Sequence, residues 1–528
     1  MSRARAIIPI LACTLVLGCE RTEPSSAKPA AETASDSSHQ GGHVVLPSVE
    51  PRFLNPVLAT RFNRVGPLIF EGLVDIGPKL EPVPRLAESW KVTDGGKTLT
   101  FTLRKGVTWH DGKPFSSADV KFTFDAIRRV PQSVWKAYMA GVSSVETPDP
   151  QTVVVHYEKP YAPALKTWTV GILPAHVFGT GKITDSPANR QPIGTGPYKL
   201  SRWELGKMIL LSANESWWYG RPNIDTVEIA FGTDDAVEKL KARKLDFAQI
   251  RDIRTWREMQ DPAVREDFAS TSAVEASFRT IAWNTTKAPF NDPKVRIALT
   301  CALNRGRVIE DVLLGQARPL SAPFFPNMFG ADPSIAPYPF DLEKAKKLLD
   351  EAGVTAKEDG TRFSIKLIIP KSYDDRAAKE GIAIFRRDLD TLGIDLQAEF
   401  LPTKELFEHI TSRDFDAMYF GWLPDISDPD PYALLHSSQI GTAANFAGFS
   451  DPEIDKLLEA ARSTVSRDER KAIYHKVHAL FHAQVPYTML YAPVSHYAWN
   501  RRLHGVNPRD IGPQAGFPGL ARWWVSER

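Results

Sequence analysis

Three histidines, His475, His478 and His482, are the residues whose type and spacing most directly suggest metal chemistry in this sequence. Spacings of three and four residues put their rings on one stripe of a helix. A zinc-like site needs further ligands that converge from elsewhere, and one helix alone gives a poor geometry. The apolar residues of this segment fall on another face. We therefore expect the histidines to flank the core at its polar edge and predict no metal site.

No arrangement of nucleophile and base typical of an enzyme stands out. The sequence has no G-x-S-x-G turn, no H-E-x-x-H pair, no P-loop and no G-x-G-x-x-G after a strand. His110-Asp111 could form a catalytic pair, but a turn that fixes the following helix is the favoured interpretation. Cys301 lies in an apolar helix and is predicted to be a buried small hydrophobe. We expect a protein that is not an enzyme and has no cofactor.

Secondary-structure elements that could position functional residues are indicated most clearly in the segment Ala87–Arg129. Glycine-containing turns, an alternating half-buried strand and a helix are indicated there. In chain order, turn, strand, turn and helix are Asp94–Lys97, Thr98–Leu103, His110–Pro114 and Ala118–Arg129. Ser117 is predicted to be the N-cap of the helix.

This segment resembles the signature of the family 5 extracytoplasmic solute-binding proteins, which are the oligopeptide, dipeptide and nickel receptors of ABC importers. Nearly every signature position is filled: A-x-S-W, D-G-x-x-x-T-F-x-L-R, G-V-x-W-H-D-G-x-P-F and A-x-D-V-x-F-T. Further motifs of the family follow along the chain at Leu54–Pro56, Phe70–Leu73, Ile172–Phe178, Pro192–Tyr198, Asn214–Asp225, Pro289–Leu299 and Asp341–Gly353.

Alternating strand and helix patterns indicate the α/β class. The resemblance implies a two-lobe fold of the type II periplasmic binding proteins, with a discontinuous first lobe and an extra inserted domain. The predicted bounds are residues 43–60, 165–276 and 491–528 for lobe I, 61–164 for the inserted domain and 277–490 for lobe II.

The resemblance also implies a ligand site at Gly421–Pro429, which reads GWLPDISDP. Peptide-binding members carry G-W-x-x-D there, and their aspartate pairs with the α-amino group of the bound peptide. Gly421, Trp422 and Asp425 match this motif position by position. A buried cationic amino terminus is costly unless it is paired and hydrogen-bonded, so a fixed carboxylate is a sensible partner. The alternative is that Asp425 only caps the turn before Asp428.

Backbone groups near this motif are expected to hold the peptide main chain. A peptide recognised regardless of its sequence must be bound by strand-like pairing. Gly421 and Leu423 are placed for that pairing in lobe II. From the other lobe, the loop Arg61–Gly66, which contains Val65, occupies the matching place.

Side chains elsewhere could complete the site. Tyr138, after the signature helix, is predicted to close over the ligand, although a lone aromatic residue could equally belong to the core. A cation must meet the carboxylate of the peptide. Arg376 lies near the place where relatives carry a basic residue, and Lys379 is the alternative, unless both are solvated helix charges.

The first residues indicate export and anchoring. Residues 1–18 combine Arg3 and Arg5 with an apolar stretch too short to span a bilayer, as in a signal peptide. Val16–Cys19 resembles a lipobox, which predicts cleavage before Cys19 and lipidation of that cysteine. The alternative is an ordinary secretory signal with an incidental cysteine. Residues 20–42 are rich in Ser, Ala and Pro and are expected to be a flexible tether.

Charge excludes one class of partner. The sequence has 65 basic and 63 acidic residues and no basic block, so we expect no nucleic-acid binding.

The prediction is a monomeric, lipid-anchored receptor on the periplasmic or extracytoplasmic face of the cell envelope. It would capture an oligopeptide or dipeptide in an interlobe cleft and deliver it to separate permease and ATPase subunits of an ABC importer. The alternatives are a receptor for a nickel chelate or a sugar and, further away, a hydrolase on the same scaffold.

Overall fold

A computed structural model describes residues 39–58, 64–77, 81–233, 235–250, 252–326, 328–423, 428–441, 445–511 and 518–526. Within these ranges the helices are α1 Gly66–Ile69, α2 Ser117–Arg129, α3 Ala164–Thr167, α4 Ala175–Phe178, α5 Ala236–Lys241, α6 Ile253–Glu258, α7 Pro262–Asp267, α8 Pro293–Ala302, α9 Arg305–Arg307, α10 Leu342–Glu351, α11 Arg376–Asp390, α12 Thr403–Ser412, α13 Tyr432–Leu435, α14 Pro452–Ser463 and α15 Arg467–Gln484.

The strands of the described residues alternate with these helices. They are β1 His43–Pro47, β2 Val74–Ile76, β3 Pro82–Pro84, β4 Ala87–Thr93, β5 Thr98–Leu103, β6 Val142–Asp149, β7 Thr152–Tyr157, β8 Tyr198–Glu204, β9 Met208–Ala213, β10 Thr226–Ala230, β11 Phe247–Ile250, β12 Phe268–Val274, β13 Phe278–Trp283, β14 Ala317–Arg318, β15 Phe363–Pro370, β16 Ile394–Leu401, β17 Ala417–Trp422, β18 Tyr487–Asn500, β19 Leu503–His504 and β20 Trp524–Val525.

Three larger sheets organise the described strands. One has the order β1-β10-β9-β8, with β1 and β10 parallel. The second is antiparallel, with the order β4-β5-β7-β6. The third has eight strands in the order β11-β18-β13-β17-β15-β16, and β12 and β14 also pair with β18.

Strand β18 links the part of the eight-stranded sheet that contains β11 and β12 to the part that begins with β13. It is 14 residues long. Tyr487–Tyr491 pair with β13, and Val494–Asn500 pair with β12. Between these stretches, β14 pairs with residues 492 and 493. One continuous strand is therefore shared by the part of the sheet near β13 and the part near β12.

The two faces of β17 contribute to two separate hydrophobic clusters. Ala417 and Tyr419 pack with residues of α8, α10 and α11. Met418 and Phe420 pack with residues of α14 and α15. Side chains alternate between the faces of a strand, so helices cover this sheet on both sides.

Local predictions from the sequence hold closely around the signature segment. The predicted strand Thr98–Leu103 is confirmed as β5. Helix α2 begins one residue earlier than predicted, and its N-cap is Ser116. The Asp119 carboxylate accepts hydrogen bonds from the N–H groups of Ser116 at 3.0 Å and Ala175 at 2.9 Å. The Ser117 hydroxyl instead donates to the carbonyl of Asp149 at 2.6 Å, so its prediction as the cap was wrong.

The folded part includes residues that the sequence assigned to the tether. The ring of His39 stacks on Trp524 with centroids 4.1 Å apart. The Gly41 N–H donates to the Asn223 carbonyl at 2.8 Å. The predicted end of the tether at Gly42 is therefore too late. The predicted signal peptide, the lipobox and Cys19 lie outside the described residues. None of the described helices is long and apolar enough to cross a membrane.

The histidines of α15 serve packing and hydrogen bonding. His478 is buried, contrary to the expected place at a polar edge, because Ser321 and Asp332 cover α15 there. Its Nδ1 accepts from the Asp332 N–H at 3.0 Å, so Nε2 carries the proton and donates to the Ser321 hydroxyl at 3.0 Å. His482 stacks on Tyr338 with centroids 4.1 Å apart. Among the described residues, no group of three or more His, Cys, Asp or Glu side chains could hold a metal ion.

The buried neutral ring of His478 makes stability depend on pH. Burial lowers its pKa from 6.5 to about 4. A histidine with a lowered folded pKa stabilises the fold fully above the pKa of the unfolded chain and loses this contribution as pH falls. We expect the melting temperature to fall between pH 6.5 and pH 4, measured by circular dichroism. His478→Gln should flatten that dependence. His156→Gln, which changes a half-exposed ring, is the matched control, and identical slopes for all three proteins would contradict this expectation.

Candidate functional site

Three of the predicted ligand-binding residues follow one another at the end of β17: Gly421, Trp422 and Leu423. Strand β17 pairs antiparallel with β13, and Arg279 stands opposite Gly421 in the register. Leu423, the first residue after β17, is 44% exposed. Asp425 lies outside the described residues, so its predicted role stays a prediction.

Gly421 is required by the side chains around it. It lies on the same face of β17 as Tyr419, two residues earlier. A Cβ at Gly421 would overlap the Tyr373 hydroxyl and lie 2.8 Å from Nη1 of Arg279. The Arg279 guanidinium lies 5.0 Å from the centroid of the Tyr373 ring. The hydroxyls of Tyr419 and Tyr491 are 3.3 Å apart on this face, and burial raises both of their pKa values. We call Arg279, Tyr373, Tyr419 and Tyr491 the arginine–tyrosine cluster.

Trp422 lies on the opposite face of the strand, beside Phe420, with ring centroids 6.5 Å apart. It lines a small cavity with Pro323, Met328, Ala433, Leu434 and the segment Asp428–Pro431. Both carboxylate oxygens of Asp428 accept from Nη2 of Arg470, at 2.7 and 2.9 Å. This buried ion pair fixes the chain directly after the segment that contains Asp425.

Tyr138 lies beside Trp135 and Lys166. Its half-buried ring is tilted against that of Trp135, with centroids 5.7 Å apart. The ammonium group of Lys166 lies 5.6 Å from the centroid of the Tyr138 ring. Burial raises the pKa of Asp428, and the positive charges of Arg470 and Lys166 oppose that rise. Lys166 thus links Tyr138 electrostatically to the region of Trp422.

Val65 belongs to the core. It is fully buried at the start of α1, and its carbonyl accepts from the Leu68 N–H at 3.0 Å. The side chain of Val65 is therefore not available to a ligand in this structure. Residues 61–63 of the predicted cleft loop lie outside the described residues.

The two predicted cations are at the exposed start of α11. Arg376 pairs with Glu380 one helical turn away, with Nε and Oε1 3.6 Å apart, and Lys379 pairs with Asp374. Their predicted contact with the ligand stays a prediction. Sequence reasoning missed Arg279. A charged residue within the apolar strand FRTIAW is nevertheless a signal. Arginine is rarely buried unless it is paired.

The candidates for catalysis have structural partners. The Nδ1 atom of His110 accepts from the Gly194 N–H at 3.2 Å, and its Nε2 donates to the Gly196 carbonyl at 3.1 Å. Asp111 pairs instead with His176 at 2.8 Å. The Gly112 N–H donates to the Trp109 carbonyl at 2.8 Å, so His110-Asp111 lies in a turn, as predicted. Cys301 is buried, as predicted, and burial raises the pKa of its thiol, which disfavours the reactive thiolate.

Known proteins resemble the chain over nearly its whole length. The oligopeptide-binding protein AppA of Bacillus subtilis is 29% identical over 564 residues, which cover 100% of both chains. The structure of that Bacillus subtilis protein in complex with a nonapeptide matches with a TM-score of 0.76 and 27% identity, covering 93% of this chain and 100% of the other. NikZ from Campylobacter jejuni in complex with Ni(L-His) matches with a TM-score of 0.78 and 26% identity, covering 91% and 99%.

These matches confirm the predicted α/β fold as the two-lobe, type II fold of the periplasmic binding proteins. The model of the bacterial extracellular solute-binding proteins, family 5 Middle, matches residues 81–443, which include the signature segment, β13 and the end of β17. The arginine–tyrosine cluster and the exposed strand end at Leu423 are thus features of a solute-binding scaffold. The chain belongs to the family 5 bacterial extracellular solute-binding proteins.

Proposed function

We propose that this protein captures peptides in a cleft between two lobes and delivers them to an ABC importer. The observation that carries the proposal is the end of β17, where Gly421, Trp422 and Leu423 leave the sheet within a sequence that matches the G-W-x-x-D motif. The full-length likeness to an oligopeptide-binding protein, and to its complex with a nonapeptide, supports peptides as the solute class.

The proposal needs two lobes that can approach each other about a hinge. The chain passes between β12 and β13 at residues 275–277, and β18 passes alongside at residues 491–494. These two segments are cross-linked: the Glu275 N–H donates to the Pro493 carbonyl at 2.8 Å, and the Glu275 carboxylate accepts from the hydroxyls of Ser277 and Ser495. Their position supports the lobe bounds at 276 and 490 that we propose.

A second set of contacts supports closure away from this hinge. The Ala162 N–H donates to the Arg462 carbonyl at 2.7 Å, which links the proposed inserted domain to the proposed lobe II. Arg462 also pairs with Asp430 at 2.8 Å. Gly96 packs so tightly on Val465 that an added Cβ would lie 2.7 Å from its side chain. With contacts at both sides, the proposed cleft would lie between them, and a ligand bound there would lose its water.

A peptide buried in this cleft brings a charged amino terminus. We assign its partner to the carboxylate of Asp425, in line with the motif. Strand-like pairing with the backbone of Gly421 and Leu423 would hold the peptide main chain without reading its side chains. Tyr138 and the backbone at Val65 would contribute from the opposite side. The reaction chemistry of an enzyme has no part in this proposal, because recognition and release suffice for transport.

We further propose that the mature protein is a monomer anchored in the cell envelope through lipid on Cys19. The lipobox Val16–Cys19 and the Ser-, Ala- and Pro-rich composition of the segment that follows it support this proposal. Permease and ATPase subunits would be separate chains.

The first test concerns Asp425. Removing one partner of a buried charge pair typically costs about 2–5 kcal/mol, which corresponds to a roughly thirty-fold or larger loss of affinity. Asp425→Asn should therefore weaken binding of trialanine to at least that extent in calorimetric titration. N-acetyltrialanine should bind the unmodified protein poorly and should lose little more with Asp425→Asn, because the pair is already absent.

Asp390→Asn, at the exposed end of α11, is the matched control and should leave both affinities unchanged. Equal affinity of the unmodified protein for trialanine and its acetylated form would refute the assignment of Asp425. Binding of a nickel–histidine chelate in place of every peptide would instead favour the alternative solute class, which the likeness to the Ni(L-His) complex keeps in view.

The second test concerns the anchor. Cys19→Ala should move the protein from the membrane fraction to the soluble fraction, because the lipid would be lost while the described part of the fold is unaffected. Cys13→Ala is the matched control and should stay in the membrane fraction, measured by immunoblotting after a carbonate wash. Retention of the Cys19→Ala variant in the membrane would show that another feature anchors the protein.

A further inference from the structure

Arg279 differs from the other shielded arginines of the described fold in its partners. Buried or half-buried guanidinium groups elsewhere pair with carboxylates or donate to backbone carbonyls; examples are Arg85, Arg362, Arg462, Arg470, Arg296 and Arg305. Arg279 is half-buried, yet in the part of the chain that the structure describes its guanidinium makes neither an ion pair nor a hydrogen bond. Its partner there is the ring of Tyr373, at 5.0 Å.

We propose that the Arg279 guanidinium binds a carboxylate group of the peptide ligand. This inference rests on the proposed function and adds to that function a residue that determines specificity. A guanidinium presents a planar fork of N–H donors that matches a carboxylate with two parallel hydrogen bonds. The donors of Arg279 are not engaged by the described residues, so binding such a group would not require an existing ion pair to be broken.

The surroundings hold the guanidinium in one place. Arg279 is the second residue of β13, and the register of that strand with β18 shifts between Arg279 and Thr280, which is a local irregularity next to the proposed hinge. The Tyr373 ring supports the cation on one side, since the face of an aromatic ring attracts positive charge. The absence of a side chain at Gly421 leaves the space that Nη1 and the Tyr373 hydroxyl occupy.

The acidic residue near this cluster is already engaged. Asp375 contributes negative charge near Tyr419 and Tyr491. Its carboxylate caps α11 by accepting from the Ala378 N–H at 2.8 Å. It therefore moderates the positive charge of Arg279 without neutralising it through direct contact. The cluster as a whole offers a fixed cation and the Tyr373 hydroxyl, which suits an anionic oxygen and not a second cation.

The position of the cation identifies the kind of ligand group. Arg279 in β13 stands opposite Gly421. Gly421 lies at the end of β17, which we propose pairs with the peptide main chain. A carboxylate that reaches this point is either the carboxyl terminus of a short peptide or an acidic side chain of a longer one. Both sources share the same chemistry, and the experiment separates them.

The test compares the unmodified protein with Arg279→Gln by calorimetric titration. The probes are trialanine, trialanine amide, Ala-Glu-Ala amide and Ala-Gln-Ala amide. Because a hydrogen-bonded charge contributes about 1.5–3 kcal/mol, we expect Arg279→Gln to lose roughly ten-fold or more in affinity for the probe whose carboxylate it binds. A loss for trialanine but not for its amide identifies the carboxyl terminus. A loss of the preference for Ala-Glu-Ala amide over Ala-Gln-Ala amide identifies an acidic side chain.

Two further variants keep the result interpretable. Arg279→Lys retains the charge without the fork and should recover part of the affinity, which a purely structural role would not explain. Arg387→Gln, at an exposed position of α11, is the matched control. Melting temperatures would show whether each variant is folded.

Unchanged affinity of Arg279→Gln for all four probes would overturn the inference while leaving the proposed function intact. The same holds if Arg376→Gln carries the loss instead. Failure of the unmodified protein to bind any of the four probes would count against the proposed function, and the inference would fall with it.

Discussion

The structure depends on one shared strand. β18 pairs with β13 over its first residues and with β12 over its last, so two parts of the eight-stranded sheet are built on one continuous backbone. Backbone hydrogen bonds along both stretches leave little freedom within each part. We propose that movement between them is centred on residues 275–277 and on the neighbouring residues 491–494 of β18, where the carboxylate of Glu275 accepts from the hydroxyls of Ser277 and Ser495. A hinge of this kind would allow closure without unfolding either part.

Charged side chains have different partners in the framework and in the proposed site. In the framework, buried charged groups have fixed partners within the fold: Arg470 holds Asp428, and Arg85 holds Glu71 at 2.9 Å. Such pairs are costly to break, because removing one partner leaves the other charge unpaired in a medium of low dielectric constant. At the end of β17 the opposite condition holds, since the guanidinium of Arg279 is shielded by Tyr373 but has no described carboxylate partner. A receptor that buries a zwitterionic ligand benefits from charges that are completed only by that ligand.

The sequence predicted what is local and missed what arises from distant pairing. Strand β5 was predicted residue for residue because its alternation and flanking turns are contiguous. The cap of α2 was displaced by one residue because Ser116 and Ser117 are equivalent by type, and only the contacts of Asp119 and Asp149 distinguish them. The expected polar position of His478 was wrong because the residues that cover it come from a separate loop.

The candidate site shows the same division. Gly421 and Trp422 were predicted from a short motif. The arginine–tyrosine cluster was not, since Arg279, Tyr373, Tyr419 and Tyr491 come from four separate parts of the chain and meet only through sheet pairing and a loop. The motif also does not reveal why glycine is required at position 421: Tyr373 and Arg279 fill the space that a side chain there would occupy.

The most direct test of the account is the identity of the solute that the protein carries when it is isolated from its native source. Native mass spectrometry of the intact complex, followed by denaturation and sequencing of the released molecule, would answer this. We expect one or more peptides with free amino termini, released with a stoichiometry of one per protein. A metal chelate, a porphyrin or a sugar released in that stoichiometry would contradict it.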